Sequence, residues 1–215
     1  MANKKCIDFC YRNITKKEIF NKRILEVGSY TRHESVRGLI EGYKPKEYIG
    51  IDIAEGRGVD IVCDACDILD RWGSNAFDVL LSTETMEHIE DWKKVIHNFK
   101  NVIVPGGIIF ISTCSYGLGC HLRPDDFWRY EIDDMKNIFS DFIVNQIVSD
   151  PDLFRVLVKV TKPNDFIEND LSNYILYSIP QDVKEERRKK EEYKRKKRKK
   201  RKLRMLKFKK KNENS

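Results

Sequence analysis

No stretch of the 215 residues is apolar for long enough to cross a bilayer. The opening residues MANKKCIDFC have neither the apolar centre nor the small-residue cleavage site of a secretory leader. A cytoplasmic location is the expectation. Six cysteines (Cys6, Cys10, Cys63, Cys66, Cys114 and Cys120) in a chain without an export signal read as reduced thiols rather than a disulfide framework. CDAC, residues 63 to 66, has the spacing of a metal half-site, but no second half follows, so no metal is expected. Glycine is missing where a dinucleotide needs it. The run Gly28-Ser29-Tyr30-Thr31-Arg32-His33 lacks two of the three glycines of GxGxxG, which argues against NAD and FAD.

Charge is abundant but unevenly placed. Residues 184–211 hold 19 of the 41 Lys/Arg and only 4 of the 34 Asp/Glu, so the rest of the chain is net acidic although the whole carries +7. The change falls near SIPQDVKEE, where apolar residues thin out and Pro180 interrupts the chain. Beyond it lies a low-complexity, self-repelling tail. It suits contact with nucleic-acid phosphates, with an anionic membrane surface, or with solvent alone. The organisation expected is a lead-in over 1–22, a folded domain over 23–165, a linker over 166–183 and the basic tail over 184–215.

With 40% hydrophobic residues, the body can bury the core of one ordinary domain. RILEVG (23–28), EYIGID (47–52), VDIVCD (59–64), FDVLLST (77–83) and IIFIST (108–113) read as strands. Between them, His33 to Glu41 and the segment EDWKKVIHNFKNVI show helical spacing, and VPGG (104–107) is expected to end the second helix and turn the chain into the next strand. TKKE (15–18) matches a helix-capping box and EIDDMKNIF reads as a helix. FIVNQIVS (142–149) and LFRVLVKVT (153–161) are too close for a helical crossover, so they pair as an antiparallel hairpin. Runs that are apolar throughout suit parallel strands covered on both faces, and the fold expected is a doubly wound α/β sheet.

In such sheets ligands lie beyond the carboxyl ends of the strands, beside the first strand-to-helix turn. Glu26 sits inside the first strand, and Asp52 and Asp64 end the second and third. Three acids there suit a ligand with a positive centre and hydroxyl or amine donors, and repel phosphate. ILEVGS, YIGIDI, VDIVCDACDI, FDVLLSTETMEHIEDW and VIVPGGIIFIST, in this order, resemble the successive motifs of class I S-adenosylmethionine-dependent methyltransferases, in particular the type 11 group, over roughly residues 20 to 160. The resemblance implies a Rossmann-like, mostly parallel seven-stranded sheet ending in an antiparallel hairpin, with S-adenosylmethionine as cofactor. It implies that Glu26, Gly28, Ser29 and Tyr30 form the turn at the methionine part, that Asp52 takes the ribose with Ile53 beside the adenine, that Asp64 and Ala65 meet the adenine edge, and that Ser82 and Thr83 end the fourth strand against the cofactor. Tyr30 departs from the family, standing where a second glycine is common, and either crowds or covers the cofactor.

Methyl transfer rests largely on alignment, and a base is needed only when the acceptor must lose a proton. TETMEHIED offers Glu84, Glu87 and His88, either as catalytic or as structural groups. CSYGLGCHLRPDDFWRY (114–130) resembles a segment after strand five in type 11 enzymes that modify sugars or small molecules. That resemblance implies His121 as base, with Asp125 or Asp126 orienting it or binding hydroxyls, and Trp128 and Arg129 building the pocket. Alternatively Asp125 caps the next helix; for Trp128 and Arg129 packing is the preferred reading. The function expected is methylation of an oxygen or nitrogen on a small molecule or sugar. The alternatives are an RNA methyltransferase fed by the tail, and a methyltransferase-like binding protein with its activity lost at Tyr30.

Overall fold

A computed structural model describes residues 4–31, 35–121, 125–150, 152–186, 188–190 and 192–197. Five strands precede the hairpin, with a helix after each of β1, β3 and β4: β1 (Arg23–Val27), β2 (Glu47–Asp52), β3 (Ile61–Val62), β4 (Phe77–Thr83) and β5 (Ile103–Cys114). The helices are α1 (Lys4–Asn13), α2 (Lys16–Ile19), α3 (Arg37–Gly42), α4 (Ile68–Trp72) and α5 (Trp92–Val102). After them come β6 (Trp128–Arg129), α6 (Ile132–Ile138), β7 (Ile143–Asp150), β8 (Arg155–Thr161) and β9 (Tyr177–Ser178).

Seven strands form one sheet in the order β3-β2-β1-β4-β5-β8-β7, parallel from β3 to β5 and antiparallel at β8 and β7. The chain leaves β1 on one side for β2 and β3 and returns on its other side as β4, so the order reverses at β1 and β4, where Val27 faces both Ile51 and Ser82. The expected hairpin is present. β6 and β9 pair as a separate two-stranded sheet.

Both sheet faces are covered, which explains strands whose apolar residues do not alternate with polar ones. Leu25, Leu80, Ile109 and Ile111 point into one buried layer with Ile96 and Phe99 of α5. Ile24, Val79, Leu81 and Phe110 point into the other, with Ile7, Ile19, Leu39 and Ile40 of the first three helices.

Several boundaries differ from the sequence reading. The third strand shrinks to Ile61–Val62, because Asp64 turns the chain by accepting a hydrogen bond from Cys66 N at 2.8 Å and opens a short 3-10 turn. α3 starts at Arg37; residues 33 and 34, the start of the expected helix, lie outside the described residues. VPGG does not separate helix from strand. β5 takes over at Ile103 and runs through it, with an irregularity in its pairing to β4 between Phe77 and Val79 and Gly106 at φ +78°. The capping box at Thr15 is formed, Thr15 N donating to Glu18 Oε2 at 2.8 Å.

The chain divides into two compact units, Met1–Leu118 with Phe127–Ser178, and Gly119–Asp126 with Ile179–Ser215. In the first, residues after β8 lie along α5 and α6: Phe166 meets Phe142, and Tyr174 meets Trp92. In the second, residues 181–186, 188–190 and 192–197 are helical. Among the described residues no helix is long and apolar enough to cross a membrane.

Candidate functional site

The turn after β1 is held by its own amides. Gly28 N and Ser29 N both donate to Ile51 O, at 2.9 and 3.0 Å; Tyr30 N donates to Asp52 Oδ2 at 3.2 Å, and Thr31 N to Arg57 O at 2.9 Å. A phosphate-binding turn aims such amides at its ligand. Here four in a row are spent on β2 and the loop that follows, in keeping with the absent GxGxxG.

Gly28 has φ +79°, and a Cβ there would lie 1.9 Å from Thr85 Oγ1. The close approach that demands glycine is therefore made by Thr85, in the loop after β4, whose hydroxyl donates to Thr83 O at 3.1 Å. Sequence reasoning did not single out Thr85, although it lies within TETMEHIED. The ring of Tyr30 lies over Gly56, where an added Cβ would fall 2.2 Å from Cε2. Ser29 and Ser82, at the ends of β1 and β4, are buried and their hydroxyls have no hydrogen-bond partner among the described residues.

Glu26 is buried, and Tyr48 Oη donates to its Oε2 at 2.6 Å. Burial pushes its pKa up to about 7, against the pull of the Tyr48 hydroxyl and of Arg37. Arg37 stacks 4.5 Å over the Tyr48 ring and pairs with Asp60, which also accepts from Gly50 N at 2.7 Å. The first acid is thus part of a network under the turn.

Asp52 ends β2 with both carboxylate oxygens aimed by the backbone, Oδ2 by Tyr30 N and Oδ1 by Ala54 N at 3.0 Å. A carboxylate retains lone pairs beyond those two bonds. Beside it Ile53 is 64% exposed, unusual for an isoleucine at a strand end. Ile53, Val62, Cys63, Asp64, Asp67 and Arg71 line an open cavity of about 630 Å³, of the size that holds small molecules. Ala65 is buried with its carbonyl taken by Asn98 Nδ2 at 2.9 Å, so Asp64 alone of that pair faces the cavity. Burial and neighbouring acids push the Cys63 thiol up, and burial with Asp64 pushes Cys66 up to about 11, which makes both poor thiolates.

After β4, Glu84 has φ +55°, is buried, and pairs with Arg155 of β8. Glu87 is fully buried: Thr113 Oγ1 and Cys114 Sγ each donate to it at 2.9 Å, and His88 Nε2 lies 3.9 Å away. Burial works to raise its pKa, but the charge of His88 and these hydrogen bonds outweigh it and hold the carboxyl below the ordinary value. Trp128 Nε1 donates to Ile89 O at 2.9 Å, and buried Arg129 donates to Leu118 O and Trp128 O, both packing roles.

The second unit holds His121, Asp125 and Asp126. His121 Nδ1 lies 3.1 Å from Oδ2 of buried Asp126, which also accepts from His121 N at 2.7 Å. Asp125 does not cap α6; it pairs with Arg188 at 3.0 Å, and Glu131 caps that helix.

A family model described as "Methyltransferase domain" matches residues 3–146. A ubiquinone biosynthesis O-methyltransferase of Idiomarina loihiensis is 29% identical over 111 residues, 44% of this chain and 43% of its own length. The chain spans less than half the length of that relative and of its counterpart in Parvibaculum lavamentivorans. Among solved structures, an S-adenosylmethionine-dependent methyltransferase from Mesorhizobium loti superposes with a TM-score of 0.56 at 14% identity, over 72% of this chain and 96% of that one. The 1,6-didemethyltoxoflavin-N1-methyltransferase of Burkholderia thailandensis, with 1,6-didemethyltoxoflavin and S-adenosylhomocysteine bound, gives 0.54 at 12% identity over 74% and 77%.

Proposed function

The chain belongs to the methyltransferase-domain family, the class I S-adenosylmethionine-dependent methyltransferases, and from that premise we propose that it methylates an oxygen or nitrogen of a small molecule. The observation that carries the cofactor assignment is Asp52, held by two backbone amides beside the exposed face of Ile53. A carboxylate fixed in this way accepts from a pair of vicinal hydroxyls, and an uncovered apolar face beside it takes a flat ring. The residues fit the group. Asp52 would hold the ribose, Ile53 and Val62 of the cavity the adenine face, Asp64 the adenine amine, and the turn at Gly28 with Tyr30, Ser82 and Thr83 the methionine end, where the Ser82 hydroxyl has no partner among the described residues.

When bound, S-adenosylmethionine supplies a methyl group on a positively charged sulfur. The chain's part is to orient and to exclude water. Glu26 adds a carboxyl poised near neutrality for a cationic group, and Glu87, held ionised, adds negative charge after β4. We assign to His121, whose Nδ1 lies 3.1 Å from Asp126 Oδ2, the removal of the proton from an acceptor that must lose one. His88 is the lesser candidate, since it lies mostly buried against Glu87. A small-molecule acceptor accords with the names of a relative, a ubiquinone biosynthesis O-methyltransferase, and of a structural neighbour, a 1,6-didemethyltoxoflavin-N1-methyltransferase.

Calorimetric titration of S-adenosylmethionine and S-adenosylhomocysteine into wild type, Asp52→Ala and Asp52→Asn tests the cofactor assignment. Wild type binds, Asp52→Ala loses about tenfold or more in affinity, and Asp52→Asn falls between them. A folded wild-type protein that takes up neither compound overturns it.

A further inference from the structure

We propose that the basic helical residues 181–186, 188–190 and 192–197 form a nucleic-acid-binding arm whose Arg188 is shared between phosphate and Asp125. The proposal is independent of the cofactor assignment. It starts from a helix with no core to join. Apart from Lys184, the described positions from 181 to 197 are exposed, and the apolar ones are Val183 and Tyr193, ten residues and nearly three turns apart, too far to make a continuous stripe. A membrane-surface helix needs one continuous apolar stripe, and this one has none.

The helix has its own local support. Glu186 pairs with Lys190 at 3.6 Å and Glu192 with Lys196 at 3.9 Å, each a Glu four residues before its Lys, the favourable order. The acids thus serve the helix, whereas Lys189, Lys194, Arg195 and Lys197 make no ion pair among the described residues. They form an array at helical spacing, continued in sequence as RKKRKLRMLKFKKK. A linear array of cations with an exposed Tyr193 among them matches a phosphate backbone with bases free to stack. The rest of the chain is net acidic and repels such a ligand, so binding is confined to the arm.

Within the same unit the arm is tied to the loop of His121 and Asp126. Arg188 Nη2 donates to Asp125 Oδ1 at 3.0 Å, both side chains more than half exposed. An exposed pair of this kind is weak, so a phosphate that takes Arg188 displaces Asp125 at little cost. Nucleic acid on the arm therefore loosens the loop from its basic partner, and the loop in turn competes slightly with nucleic acid.

The test uses the full chain and a fluorescent single-stranded RNA of about 20 nucleotides, with duplex DNA and phosphatidylserine-containing vesicles as parallel arms. RNA affinity is expected to fall about a hundredfold between about 50 and about 200 mM KCl, the mark of several neutralised phosphates. Replacing Lys194, Arg195, Lys196 and Lys197 with Gln makes that salt dependence shallower, and Asp125→Asn tightens binding up to about fivefold. Binding of duplex DNA as well assigns the arm to phosphate rather than to single strands and supports the proposal. It is overturned by no binding at low salt, by salt-insensitive binding, by an unchanged quadruple variant, or by vesicles binding where RNA does not. An unchanged Asp125→Asn overturns the sharing of Arg188.

Discussion

Glu26 is a carboxylic acid in an apolar strand, and its protonation has a thermodynamic consequence. Its pKa stands at about 7 in the folded protein and at the ordinary 4.5 when the chain is unfolded. The folded state therefore binds the extra proton between those values, and stability present below pH 4.5 is lost as pH rises through about 7. For a group this buried the change amounts to about 3 kcal/mol. Glu26→Gln keeps an acceptor for Tyr48 and removes the titration. Its denaturation midpoint, measured from pH 5 to 8, should gain on wild type as pH rises; a constant offset would refute the assignment. Gly28 makes a second prediction at this scale. Gly28→Ala strains the backbone and strikes Thr85, so it should cost about 2 kcal/mol or more by denaturant unfolding. Adding Thr85→Gly removes the clash but not the positive φ, and should return part of the loss.

Helices and strands are held together at one point by a buried cation. Lys100 of α5 donates at 2.6 Å to Ile138 O of α6, to Asp141 and to Asn169 in the segment after β8. Burial draws its pKa down and Asp141 draws it back up, so the ammonium is stable only while its partners stay in place. Lys100→Met leaves the Asp141 charge inside without its partner, a loss of about 3–5 kcal/mol. Lys100→Met with Asp141→Asn should recover much of it in denaturant titrations, which a purely steric role for Lys100 would not allow. None of this was visible in the sequence, because a lysine in a helix reads as solvated. The elements themselves were legible. Trp92, Val95, Ile96 and Phe99 repeat at helical spacing, and DPD leaves no room for a crossover. What failed was VPGG, where Pro105 and two glycines read as a stop but are absorbed by an irregular strand. The loop acids were legible as a group, but which of them met which partner was not: Asp126 reaches His121, and Asp125 reaches a residue 63 positions later.

At the scale of the molecule, sequence order and spatial order part company. β8 lies between β5 and β7, although both precede it in the chain. Among the described residues β7 has β8 as its sole neighbour in the main sheet, and β5 needs β8 on its outer side. A ribosome thus delivers the first five strands as a nearly finished half with one bare rim, then a strand with nowhere to lie, and only afterwards the strand that joins them. A message cut short before the codon for Arg155 yields a polypeptide with two open rims, one of them carrying Ile109, Phe110 and Ile111. Such rims pair with one another as readily as with the missing strand, so premature termination late in translation produces clumping chains rather than merely inactive ones.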